Sequence, residues 1–137
     1  MNDFPGLDRG GAANAVHATI LVCVTCRQAD GADATPRPGQ MLYEATRAAA
    51  GPDVRVAPVE CLANCKRRLS AAILRTGAWS YVFGDLALEN AADLVSGARL
   101  YAAASESVMP WRGRPDCLKR GLVSRLPPFD LLTERTP

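Results

Sequence analysis

Two stretches, Ala-Thr-Ile-Leu-Val-Cys-Val-Thr-Cys at residues 18–26 and Val-Arg-Val-Ala-Pro-Val-Glu-Cys-Leu-Ala-Asn-Cys at 54–65, share one design: an apolar run that ends in a cysteine pair. Each run is rich in β-branched residues and of strand length. Between them, Leu42, Ala45 and Ala49, with Met41 and Ala48 beside them, recur at helical spacing. Pro38 marks the start of that helix and Gly51-Pro52 its stop. Strand, crossover helix and strand in one sheet form a right-handed unit with parallel strands. Parallel strands finish at the same edge. Cys23 and Cys26 are therefore expected to meet Cys61 and Cys65 beyond the strand ends, where open α/β sheets place their ligands.

Working outward, residues 1–16 lack periodicity and read as a flexible leader, and His17 falls at the solvent-facing start of the first strand. Pro58 places the second strand at an edge. Residues 71–75 and 79–83, joined through Thr76-Gly77-Ala78, form a hairpin whose second strand alternates Trp79, Tyr81 and Phe83, a core face. Asn90 can cap a second helix whose stripe is Ala91, Leu94, Val95, Ala98 and Tyr101. The order strand, helix, strand, strand, strand, helix is that of a thioredoxin-like α/β domain, a four-stranded mixed sheet with two helices. On this reading the domain spans residues 17–105. Residues 106–137, rich in Pro and Arg, form an irregular extension packed on it, because Pro110, Pro115, Pro127 and Pro128 interrupt regular structure.

At 137 residues the chain is long enough for one domain with its own core. Hydrophobic residues make up 48% and charged residues 22%, with no apolar run of the ~20 residues that span a bilayer. The N-terminus carries neither a basic start nor a continuous apolar segment, so the cytoplasm is expected. Thiols stay reduced there, which favours metal binding or catalysis over structural disulfides. A net charge of +2 is too small to announce a nucleic-acid binder. No Gly-rich phosphate loop, nucleophile elbow or His-Glu metalloprotease motif is present, so an enzyme is not expected.

Cysteines separated by two or three residues let both sulfurs turn to one ion from one loop, and two such loops complete a four-thiolate shell. Iron with sulfide and zinc both suit that shell. A thioredoxin-type dithiol at Cys23 and Cys26 is the enzymatic competitor. It leaves Cys61 and Cys65 unexplained, and about ten loop residues separate the pair from the helix start that would lower a thiol pKa.

Five pieces of the chain resemble an uncharacterised bacterial family of predicted metal-binding proteins, related to thioredoxin-like [2Fe–2S] ferredoxins and often encoded near cobalamin-biosynthesis genes. They are Cys-Val-Thr-Cys-Arg from residue 23, Arg-Pro-Gly-Gln from 37, Cys-Leu-Ala-Asn-Cys-Lys-Arg from 61, Gly-Ala-Trp-Ser-Tyr-Val-Phe-Gly-Asp-Leu from 77 and Met-Pro-Trp-Arg-Gly-Arg-Pro from 109. The resemblance implies a ferredoxin-like fold, an electron carrier with a [2Fe–2S] cluster, and Cys23, Cys26, Cys61 and Cys65 as its ligands. A zinc-binding or metal-handling accessory protein of cobalamin biosynthesis is the alternative. Related ferredoxins have about ten to twelve residues in the first cysteine spacing, where this chain has two.

A cluster of this kind carries a charge of about −2, about −3 when reduced, and Arg27, Lys66, Arg67 and Arg68 read two ways, as cations that offset it and as a solvated basic loop. The basic tail of Arg112, Arg114, Lys119, Arg120 and Arg125 is read two ways, as a docking patch for an acidic redox partner and as a surface wrap anchored by Trp111 and Leu118. Cys117 reads as a free thiol. Related ferredoxins pair as dimers, so a homodimer is an expectation from resemblance, without an interface in the residues.

Overall fold

β1 (Ala18–Cys23) and β2 (Val54–Val59) pair in parallel, with Ala18 opposite Val54 and Cys23 opposite Val59. This computed structural model describes residues 18–26 and 37–129; the expected leader, His17 and the segment 27–36 with Arg27 lie outside the described residues. The connection runs through α1 (Pro38–Ala49). β3 (Ala71–Leu74) lies antiparallel to β1 on its other side, and β4 (Ser80–Phe83) antiparallel to β3. α2 (Ala91–Ala102) packs against α1, and both contact β1 and β2, so the two helices cover one face of the sheet.

The sheet has five strands, in the order β2-β1-β3-β4-β5, and not four. After the four-residue helix α3 (Cys117–Arg120), the chain forms β5 (Leu122–Leu126) antiparallel to β4. The extension expected to be irregular thus supplies an edge strand. Its prolines do not forbid this, because Pro115 precedes α3 and Pro127 follows β5, so none of the five residues of β5 lacks an amide hydrogen. β2 forms the opposite edge, where Pro58 is exposed.

Tyr81 and Phe83 stack at 6.2 Å, and Tyr81 meets Tyr101 of α2 edge-on at 5.5 Å. The Tyr101 hydroxyl is shared between the carbonyls of Trp79 at 2.6 Å and Ser107 at 2.8 Å, and burial pushes its pKa up to about 12. The expected stripe of α2 is buried throughout. That of α1 is not: Met41, Ala45, Ala48 and Ala49 are exposed, and the inward face is Gly39, Leu42 and Thr46. Thr46 tolerates full burial because its hydroxyl donates to the Leu42 carbonyl at 2.7 Å.

The tail's arginines divide by burial. Arg114 is only 7% exposed and donates to the carbonyls of Met109 at 2.6 Å, Pro110 at 3.1 Å and Leu118 at 3.5 Å. Its guanidinium also lies over the rings of Tyr81 and Trp111. Arg125 stacks on Trp79, and Arg120 pairs with Asp116 one helical turn away. Leu118 is fully buried and anchors this segment, with no room beside it for a side chain at Gly97. Trp111, expected to anchor it too, is 60% exposed. Among the described residues no helix is long and apolar enough to cross a membrane.

Arg114→Ala leaves three inward carbonyls without their charged donor, and should destabilise the fold by about 2–4 kcal/mol. Arg112→Ala, at an exposed neighbour, should change stability by less than about 0.5 kcal/mol. Urea unfolding followed by tryptophan fluorescence measures both; equal effects would show that the tail is held by something other than Arg114.

Candidate metal centre

The register of β1 and β2 fixes where the cysteines fall. Cys23 closes β1 opposite Val59, and Cys61 follows two residues beyond that partner. Both cysteine loops therefore leave the same end of the sheet. The Glu60 carbonyl ties them, accepting from the Thr25 hydroxyl, with Cys23 Sγ 3.6 Å away. The Val24 amide donates to the Val59 carbonyl at 2.9 Å, continuing the ladder past the strand. On the other flank, Asn64 Nδ2 donates to Ser70 Oγ at 3.0 Å, fixing the second loop to the start of β3.

The N-terminus of α1 rests on the first loop. The Gly39 amide donates to the Cys26 carbonyl at 3.1 Å, and a Cβ on Gly39 would stand 2.2 Å from the Cys23 carbonyl oxygen. Only glycine permits that approach. The helix start is thus not remote from the pair, as the sequence suggests; the first turn of α1 stacks on Cys23 and Cys26.

An open cavity of about 260 Å³ is lined by Cys23, Thr25, Cys26, Cys65, Arg37 and Arg68. Three of the four expected ligands face it. Cys61 does not; it is exposed, and its sulfur accepts the Ala63 amide at 3.1 Å. Ala63 takes a left-handed φ of 58° within this tight turn. Among the described residues no three metal-ligating side chains stand close enough for a ready-made metal shell.

All five cysteines are free thiols. Cys23 is 3% and Cys26 6% exposed, and they share a hydrogen bond. That bond from Cys26 lowers the Cys23 pKa to about 5 against the effect of burial, with help from Thr25. The same bond, then burial, raises Cys26, so the proton of the pair stays on Cys26. Cys117 lies apart, donating to an Asp93 carboxylate oxygen at 3.7 Å; burial first and Asp93 second push its pKa up to about 11.

Of the basic triplet, only Arg68 lines the cavity. Arg67 turns away to Asp85 at 2.7 Å and to the Arg120 carbonyl at 3.3 Å. Arg37 takes the place beside Arg68, with Nη1 donating to the Thr25 carbonyl at 3.1 Å. A sequence reading for metal ligands passes over Arg37, Gly39 and Thr25. The one signal that touches two of them is the Arg-Pro-Gly-Gln motif from residue 37.

The family described as "Protein of unknown function (DUF1636)" matches residues 20–128, most of the chain and all four of these cysteines. The chain belongs to the DUF1636 family. No curated protein matches this DUF1636 chain. Among solved structures, a thioredoxin-like [2Fe–2S] ferredoxin from Aquifex aeolicus is similar at 18% identity with a TM-score of 0.54, over 84% of this chain and 98% of that one. The Cys59Ser variant of the thioredoxin-like ferredoxin from the same organism gives 14% identity and 0.51, over 78% and 98%. Its wild type gives 16% and 0.50, over 80% and 99%. At such identities the likeness shows the fold: the DUF1636 chain is thioredoxin-like, with β5 added to the expected four strands.

Two outcomes follow. In the metal-free protein, ultraviolet thiolate absorbance should rise in separate steps, the first near pH 5 from Cys23. Cys23→Ser should remove that acidic step; its survival would assign the low pKa elsewhere. Gly39→Val forces the α1 terminus off the Cys23 carbonyl and should cost about 1–3 kcal/mol of stability, read by thermal or urea unfolding.

Proposed function

We propose that the protein is a small electron carrier that holds a [2Fe–2S] cluster through Cys23, Cys26, Cys61 and Cys65. The observation that carries this reading is the shared sheet edge, where parallel pairing and the Glu60 carbonyl draw two cysteine loops around one cavity lined by Cys23, Cys26 and Cys65. The donor set fits. Thiolate sulfurs are the ligands such clusters take, and two loops with closely spaced cysteines supply four. The ferredoxin neighbours, which are named for the same cluster, support the reading through fold alone.

When bound, the cluster would supply one-electron chemistry without a substrate of its own. The protein's part is to position and insulate. Buried Cys23 and Cys26 would form the fixed side of the site, backed by Gly39 and the first turn of α1. Exposed Cys61 and Cys65 would form the adaptable side, with Cys61 turning inward to complete the shell. The Ala63 amide, already directed at Cys61 Sγ, is the kind of donor that moderates thiolate charge. An acidic protein partner would exchange the electron, and a site built on reduced thiols would suit a reducing compartment such as the cytoplasm.

A second reading rests on Cys61. A ligand that stands exposed and outside the cavity suits a site that releases its metal, so a zinc-binding or metal-handling accessory protein of cofactor biosynthesis is the alternative.

Protein purified without oxygen should be red-brown, with about two irons and two acid-labile sulfides per chain. Cys65→Ser should lose most of that colour while Cys117→Ser keeps it. A colourless chain holding one zinc would overturn the carrier and favour the accessory role.

A further inference from the structure

Six basic residues are described near the cysteine loops or in contact with them, and their side chains have different tasks. Arg67 is committed to Asp85 and to the Arg120 carbonyl, and Arg120 to Asp116. Lys66 is exposed and does not line the cavity, and Lys119 lies over the Trp111 ring. Arg37 and Arg68 alone among them line the cavity that Cys23, Cys26 and Cys65 face. They come from different parts of the chain, Arg37 from the start of α1 and Arg68 from the segment before β3.

Among the described residues, the cavity wall combines thiols, the Thr25 hydroxyl and two guanidinium groups. A centre made of four thiolates, two sulfides and two ferric ions carries about −2 and gains one further negative charge when an electron enters without a proton. Fixed cations facing that space lower the energy of the more negative state, and the effect is greatest where water is partly excluded. Guanidinium groups suit the task because they remain charged at all working pH and donate along several directions to sulfur.

We infer that Arg37 and Arg68 are the residues that set the reduction potential of this site, acting as a pair of fixed cations on the cavity wall. This rests on the [2Fe–2S] reading above. It assigns the tuning to two arginines far apart in sequence, and removes it from Lys66 and Arg67, which sit next to Cys65 in the chain but not in the cavity.

The experiment is an anaerobic spectroelectrochemical titration of the full chain with its cluster, comparing wild type with Arg37→Gln, Arg68→Gln, the double variant, the Arg37→Lys/Arg68→Lys double variant and Lys66→Gln. The midpoint potential should move negative in each single Gln variant and further in the double one. It should return toward the wild-type value with lysines and stay put in Lys66→Gln. Raising the salt concentration should shrink the differences. Loss of cluster in the Gln variants with retention in the Lys variant reads the same need for positive charge and supports the assignment. Loss in both would overturn it, assigning Arg37 the structural role of holding the Thr25 carbonyl. An unchanged midpoint in the double Gln variant, or an equal shift in Lys66→Gln, would also overturn it while leaving the carrier intact. A wild-type chain that takes up no iron would instead overturn the carrier reading itself.

Discussion

The parallel pairing of β1 with β2 is the constraint on which the rest depends. Side chains alternate along a strand, so a slip of one residue would turn Cys23 to the other face and carry the Cys61 loop out of step with it. The register is set by what lies on the helix side. Ala18, Ile20 and Val22 alternate toward α1 and α2, and Ile73, Tyr81 and Phe83 continue that layer through β3 and β4. The hydrophobic core thus does more than stabilise the molecule: it places two sets of thiols at one edge. The exposed Arg99–Asp53 pair between α2 and the start of β2 adds orientation and little energy.

The helix between these strands links packing to the site a second time. Gly39 is the point of closest contact, and the absence of a side chain lets the first turn of α1 lie on the Cys23 and Cys26 backbone. Burial then raises the cost of charging these two sulfurs together, and they share one proton. The first loop is in this sense prepared by tertiary structure, whereas the second is held mainly through the side chain of Asn64 and stays open to water.

Large side chains made α2 legible, since Leu94, Val95 and Tyr101 mark its buried face without ambiguity. In α1 the same periodic argument selected alanines, which lose little by exposure, and passed over Thr46, whose burial depends on a hydrogen bond within the helix. β5 was hidden for a related reason. An exposed edge strand has no buried face to impose alternation, so Leu122–Leu126 offers no period of two, and the prolines around it suggested irregular chain. At the site, cysteine spacing and strand polarity identified the edge, since both follow from local rules. That Arg37 and not Arg67 joins the thiols could not be read, because it depends on how segments distant in sequence return to one another.

The unequal exposure of the two cysteine loops bears on the proposed role. Electron transfer weakens steeply with distance, so a carrier must bring its centre near the surface, yet a fully solvated centre would be open to loss of metal. A loop with one side buried and the other exposed meets both demands. Cys23 and Cys26 lie against the core and α1, and Cys61 and Cys65 are exposed. Of the tail's five named cations, Arg114 is buried and Arg125 is stacked on a ring, so these two serve the fold. The short two-residue spacing of the first pair agrees with this arrangement: it keeps both sulfurs within one turn, compact enough to be covered by a single glycine-faced helix end.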